Sequence, residues 1–231
     1  MNDTAPLITL ILLMVLTGFT ASAEKTAEEW NNEGVAFFGQ NQYDKALEAY
    51  RNAAALEPDN AMVWGNIGLT LAAQGSFNDA LAALNTTTRL NPKDSLAWSN
   101  MGLVLDHLGK YEDAIHAYDQ SLTINAKTAR TWNNRGLAYH NLGKEEEALA
   151  DYTKATTIDA AYEPAWRNLG SAQVNLARYE EAIIASDTAI TLNGEDAAPW
   201  KTKAAALEKL GRADEARVAL EKASAILAKT A

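Results

Sequence analysis

The sequence predicts an all-α solenoid of stacked helix pairs, on three observations. All six tryptophans (Trp30, Trp64, Trp98, Trp132, Trp166 and Trp200) fall 34 residues apart with no insertion. Two further combs share that register: a small residue four positions after each tryptophan (Gly34, Gly68, Gly102, Gly136, Gly170, Ala204), and an alanine twelve positions beyond that (Ala46, Ala80, Ala114, Ala148, Ala182, Ala216). Between these marks, apolar residues recur at spacings of three and four, the period of a helix face and not of a strand. A fixed period means that each unit buries its apolar face only against its neighbours.

Counting from Ala27, the array divides into units 27–60, 61–94, 95–128, 129–162, 163–196 and 197–230. Each unit reads as two helices, A and B; in the second unit they fall at about 61–74 and 77–90. Gly75, Gly109, Gly143 and Gly211 stand just after helix A, where a left-handed cap favours glycine. Asn41 takes that place in the first unit, and Ala177 departs from the pattern in the fifth. Pro58 and Pro92 follow helix B and stop it, while Pro164 and Pro199 fall in the first turn of the next helix A. Small residues at the eighth and twentieth positions let A and B approach, and the tryptophan covers the seam.

Residues 1–23 are of another kind. An apolar run of about 13 residues, 7–19, is followed by Ala21–Ser22–Ala23 and then the charged Glu24 and Lys25. This is the pattern of a secretory signal removed before Glu24, with 24–26 a short linker. The basic n-region is missing, since residues 1–6 hold Asp3 and no Lys or Arg. The run is short for a membrane span, which needs about 20 residues; an uncleaved anchor over 7–19, placing the array beside a membrane, is the alternative. The expected location is outside the cytoplasm: secreted, periplasmic or on an outer-membrane face.

Composition excludes several functions. Without cysteine there is no disulfide framework, thiolate nucleophile or Cys-based metal site. A net charge of −10 argues against a general affinity for nucleic acid or anionic lipid. Three histidines, with no phosphate loop and no nucleophile elbow, leave no basis for catalysis, a cofactor, a metal or a small-molecule substrate.

The 34-residue unit resembles the tetratricopeptide repeat, whose pattern is W-x2-L-G-x2-Y, then A-x3-F, then P. Tyr139 matches the first tyrosine, Ala46 with Tyr50 and Ala148 with Tyr152 match A-x3-F, and Pro58 and Pro92 match the proline; the likeness covers 27–230. Glu145, Gln173 and Ser186 depart from it and predict softer packing in units four and five. The resemblance implies a right-handed superhelix with helices A lining a concave groove that binds an extended peptide or protein segment. It places positions 2, 5, 6, 9, 12 and 13 of each unit in that groove. Position 6 is Asn five times running, Asn32, Asn66, Asn100, Asn134 and Asn168, a ladder able to hold a peptide backbone. Met62, Leu69, Leu96, Leu103 and Leu137 add an apolar strip, which points to a partner. Arg130, Arg167, His107 and His140 add polar contacts, and Asp106 stands beside His107. The Lys and Arg pattern of chaperone-binding members is absent: Val35 stands for its Asn, and Asn134 and Asn168 for its Arg. Charge is uneven: the first unit holds seven acids against two bases, and the last seven bases against four acids. The ends therefore solvate themselves, or copies associate head to tail.

Overall fold

The computed structural model describes residues 24–230; the expected signal or anchor segment, 1–23, lies outside the described residues. Among these, the chain forms twelve helices and no strand. In order they are α1 Ala27–Gly39, α2 Tyr43–Leu56, α3 Ala61–Ala73, α4 Phe77–Leu90, α5 Ser95–His107, α6 Tyr111–Ile124, α7 Ala129–Asn141, α8 Glu145–Ile158, α9 Glu163–Asn175, α10 Tyr179–Leu192, α11 Ala197–Lys209 and α12 Ala213–Thr230. Odd-numbered helices are the A helices and even-numbered ones the B helices. Each A packs antiparallel on its own B, and each B packs on the next A. Successive A helices also touch one another, whereas successive B helices do not. The stack therefore curves with α1, α3, α5, α7, α9 and α11 on the inside.

Local sequence explains the breaks. The A-to-B turn closes with a left-handed residue at Gly75, Gly109, Gly143 and Gly211, and also at Asn41 and Ala177, both with φ of 58°. At the second turn, Ser76 N–H donates to the Leu71 carbonyl and Gly75 N–H to that of Ala72, using up carbonyls that the helix end would leave open. At the other end of the A helices, Asn60 and Asp94 accept from backbone N–H groups of α3 and α5, Asp196 caps α11, and Thr26 forms a capping box with Glu29 on α1. Thr128 and Tyr162, ahead of α7 and α9, make no such bond.

The conserved-length unit is held by two devices. Where a tyrosine faces it, a side chain on the eighth position has no room: a Cβ on Gly34 or Gly102 would lie 2.5 Å from the ring of Tyr50 or Tyr118. The tryptophan indoles do more than cover the seam. Trp64, Trp98, Trp132 and Trp166 donate Nε1–H to the carbonyl six residues earlier, at Pro58, Pro92, Ala126 and Ala160, over 2.8–3.0 Å. Each bond ties the loop leaving one unit to the first helix of the next.

The core is continuous from Ala46 to Ala138 and breaks into smaller clusters beyond, around Tyr152 with Leu169 and around Ala155 with Ala165. In unit five Gln173 and Ser186 are buried, and Gln173 Oε1 and Ser186 Oγ have no hydrogen-bond partner among the described residues. Glu145 behaves otherwise. Its carboxylate accepts from Asn175 Nδ2 at 2.7 Å and lies 2.8 Å from His140 Nδ1, so it clasps α7 to α9 where softness was expected.

Unit four carries one polar device that the apolar pattern hides. Arg135 occupies a position that is Ile67, Met101 and Leu169 in neighbouring units, and Asp151 one that is Ala49, Ala83, Ala117 and Ala185. Arg135 Nε and Nη2 each meet an Asp151 oxygen at 2.7 Å, while Nη1 meets Asp119 at 2.5 Å. The guanidinium also lies 4.7 Å from the centre of the Trp132 ring. Burial raises the Asp151 carboxyl above its ordinary value, and Arg135 pulls it back only in part.

Candidate functional site

The inner face is apolar through its first half. Val35, Met62, Leu69, Leu96, Leu103 and Leu137 are all exposed, Met62 and Leu96 by more than half. Between α3 and α5 this strip deepens into a cavity of about 260 Å³ lined by Leu69, Ala72, Ala73, Phe77, Leu84, Asn100, Leu103, Val104 and His107. Two substitutions within the repeat open it. The side chain beneath the groove in units one, three and four is Tyr50, Tyr118 and Tyr152, but in unit two it is the shorter Leu84. The position above it is Phe38, Asp106 and His140 in those units, but Ala72 in unit two. Where the tyrosine is present it fills the space, as Tyr118 does by donating to Asp106 Oδ2 at 2.6 Å.

Asn100 sits on the rim of this cavity, and among the described residues its side-chain amide has no hydrogen-bond partner. The other members of the asparagine column differ. Asn66 Nδ2 donates to Asn31 Oδ1 and Asn168 Nδ2 to Asn133 Oδ1, both at 2.9 Å, while Asn134 Oδ1 accepts from Asn133 at 3.4 Å. Asn32 is exposed at the first unit and its side chain has no partner among the described residues. The difference comes from the fifth position of the preceding unit, which is Asn for Asn66 and Asn168 but Gly65 for Asn100. Part of the ladder thus ties units together, and its centre is left open.

The remaining candidates spread along the face. His107 is exposed and stacks on Phe77 with ring centres 4.6 Å apart and planes 6° from parallel, forming one wall of the cavity. His140 is taken up by Glu145. Arg167 is paired with Asp196 at 3.0 Å, whereas Arg130 is exposed and has no carboxylate partner among the described residues. Asp106 does not join the histidines: one oxygen is held by Tyr118, the other is buried and unpartnered, and burial pushes its pKa up to about 6. Among the described residues, no three His, Asp or Glu side chains are grouped to hold a metal ion, and no helix is long and apolar enough to cross a membrane.

A larger and more open hollow of about 540 Å³ lies behind the groove, where α2 and α4 part over Trp64, Ile67 and Leu71. Its rim carries an arginine, Arg51, and an acid, Asp79, and it holds no amide. The smaller groove cavity combines an apolar floor with an unpaired donor and acceptor, the combination a ligand site requires.

The family is then decided by the repeats themselves: family models described as tetratricopeptide repeat match residues 31–95, 66–129, 129–162 and 163–196. The chain belongs to the tetratricopeptide repeat family. No curated protein matches the sequence. Solved structures share the fold at low identity. MamA from Desulfovibrio magneticus RS-1 is 20% identical with a TM-score of 0.67, covering 72% of this chain and 94% of that one. YrrB, described as a tetratricopeptide repeat protein with an unusual peptide-binding site, is 18% identical with a TM-score of 0.67 over 78% and 93%. A tetratricopeptide repeat protein from Parabacteroides merdae ATCC 43184 is 21% identical with a TM-score of 0.71 over 85% and 78%. Tetratricopeptide arrays are typically non-enzymatic scaffolds for protein–protein interaction, and this right-handed solenoid has their fold.

Proposed function

We propose that the protein is an exported, non-enzymatic scaffold that holds an extended segment of another protein in its concave groove. One observation carries this reading: the cavity between α3 and α5 places the free amide of Asn100 at the rim of an apolar hollow floored by Phe77 and Leu84. An extended chain laid across it offers a carbonyl and an N–H to the amide and a side chain to the hollow. The peptide-binding site named for YrrB is consistent with this use of the fold. Export rests on the apolar run 7–19 followed by Ala21–Ser22–Ala23. The test is affinity capture from extracts of its own cells with the wild-type protein and with a Leu69→Ser/Leu103→Ser variant. The wild type retains a partner that the variant loses at unchanged melting temperature; equal retention by both would move binding off the groove.

A further inference from the structure

The bases on the groove-lining helices are segregated. Helices α1, α3 and α5 contain no Lys or Arg at all, whereas α7, α9 and α11 contain Arg130, Arg135, Arg167, Lys201, Lys203 and Lys209. Three of these six are spent within the protein, Arg135 on Asp119 and Asp151, Arg167 on Asp196 and Lys203 on Asp187. Arg130, Lys201 and Lys209 are exposed and have no carboxylate partner among the described residues. They stand in units four and six, with Arg130 beside the last member of the apolar strip, Leu137. The inner face therefore has an apolar stretch over units two and three that holds the cavity and, further on, three unpaired bases against one exposed acid, Glu208, on a chain whose net charge is −10. That local reversal of sign runs against the charge of the whole molecule, so it does not follow from general composition.

We infer that the occupant of the groove is a protein segment in two parts, an aliphatic stretch seated over units two and three and an acidic stretch lying against Arg130, Lys201 and Lys209. The inference rests on the groove reading above and adds the chemistry of the partner. The cavity of about 260 Å³ takes a Leu, Ile or Met side chain and has no Lys or Arg in its lining to neutralise an acid. The bases, exposed and flexible, attract carboxylates at a distance and need no fixed geometry. Neither part alone specifies the ligand: the apolar stretch selects side-chain shape, and the three bases select which way the segment lies.

The test is selection of a displayed library of random 16-residue peptides on the purified protein. The expected outcome is enrichment of sequences that pair an aliphatic cluster with an acidic run, always in the same order. Arg130→Gln/Lys201→Gln/Lys209→Gln, which alters only exposed side chains, then weakens a selected peptide roughly tenfold at low salt and flattens the dependence of affinity on salt. Leu84→Tyr, which puts the tyrosine of the neighbouring units beneath the cavity, weakens the same peptide while leaving its salt dependence intact. Enrichment without acids, or equal binding of an all-glutamate peptide, would overturn the two-part segment and leave the groove reading standing. No enrichment of any peptide would overturn both.

Discussion

Asn100 and Asn168 are the same residue at the same place in two units, yet the structure gives them different work. Asn168 is bonded to Asn133, so Asn168→Ala removes a bond between units. It should lower stability by about 1 kcal/mol, read as a shift of the denaturant midpoint. Asn100 has no partner to lose. Asn100→Ala should leave the midpoint unchanged and weaken a captured partner about tenfold; a loss of stability equal to that of Asn168→Ala would contradict the assignment. The column itself was visible in the sequence. Which of its members are free was not, because that depends on a residue one unit earlier, Gly65 against Asn133. A second residue-scale prediction concerns Ala177, whose φ of 58° is one that alanine adopts at a cost. Ala177→Gly should stabilise the protein by about 0.5–1 kcal/mol in the same assay, since glycine takes that conformation freely. Asp106 supplies a third. Its folded pKa of about 6 lies above the ordinary value of 3.8, so the folded state holds the proton more tightly. The stability it contributes is complete below pH 4 and is lost as pH rises through about 6. Asp106→Asn, which keeps an acceptor for Tyr118, should flatten that part of the curve of melting temperature against pH.

At the scale of helices, the joint between α6, α7 and α8 shows how the repeat accommodates charge. Arg135 and Asp151 replace an apolar residue and an alanine together, and each satisfies the other. Arg135→Leu restores the pattern of Ile67, Met101 and Leu169 but strands a carboxylate whose side chain is only 5% exposed, and should cost about 3 kcal/mol. Arg135→Leu with Asp151→Ala restores both columns and should recover most of that loss, as a double-mutant cycle by chemical denaturation would show. A double variant as unstable as the single one would mean that the pair contributes through something other than mutual neutralisation. Element boundaries were legible because glycine, asparagine and proline mark them in nearly every unit. Glu145 was legible only as a missing aromatic. Its partners, His140 and Asn175, lie on two different helices, and no spacing within one unit relates the three.

Across the whole molecule, stability should be graded, with unit five exchanging amide hydrogens faster than units two and three. Units two and three share the continuous core, while unit five combines buried, unpartnered Gln173 and Ser186, an uncapped α9 and a strained turn at Ala177. In a solenoid, where each unit leans only on its neighbours, such defects stay local. The cavity lies within the continuous core of units two and three. Binding of the partner on this inner face is tested directly by amide hydrogen exchange with and without the captured protein. Binding should slow exchange in α3, α5 and α7, with the largest effect around Asn100 and Leu103 and a smaller one at Phe77 and Leu84 on the cavity floor, and leave α2 and α6 unchanged. Protection concentrated on α2 and α4, around the hollow behind Arg51 and Asp79, would contradict it.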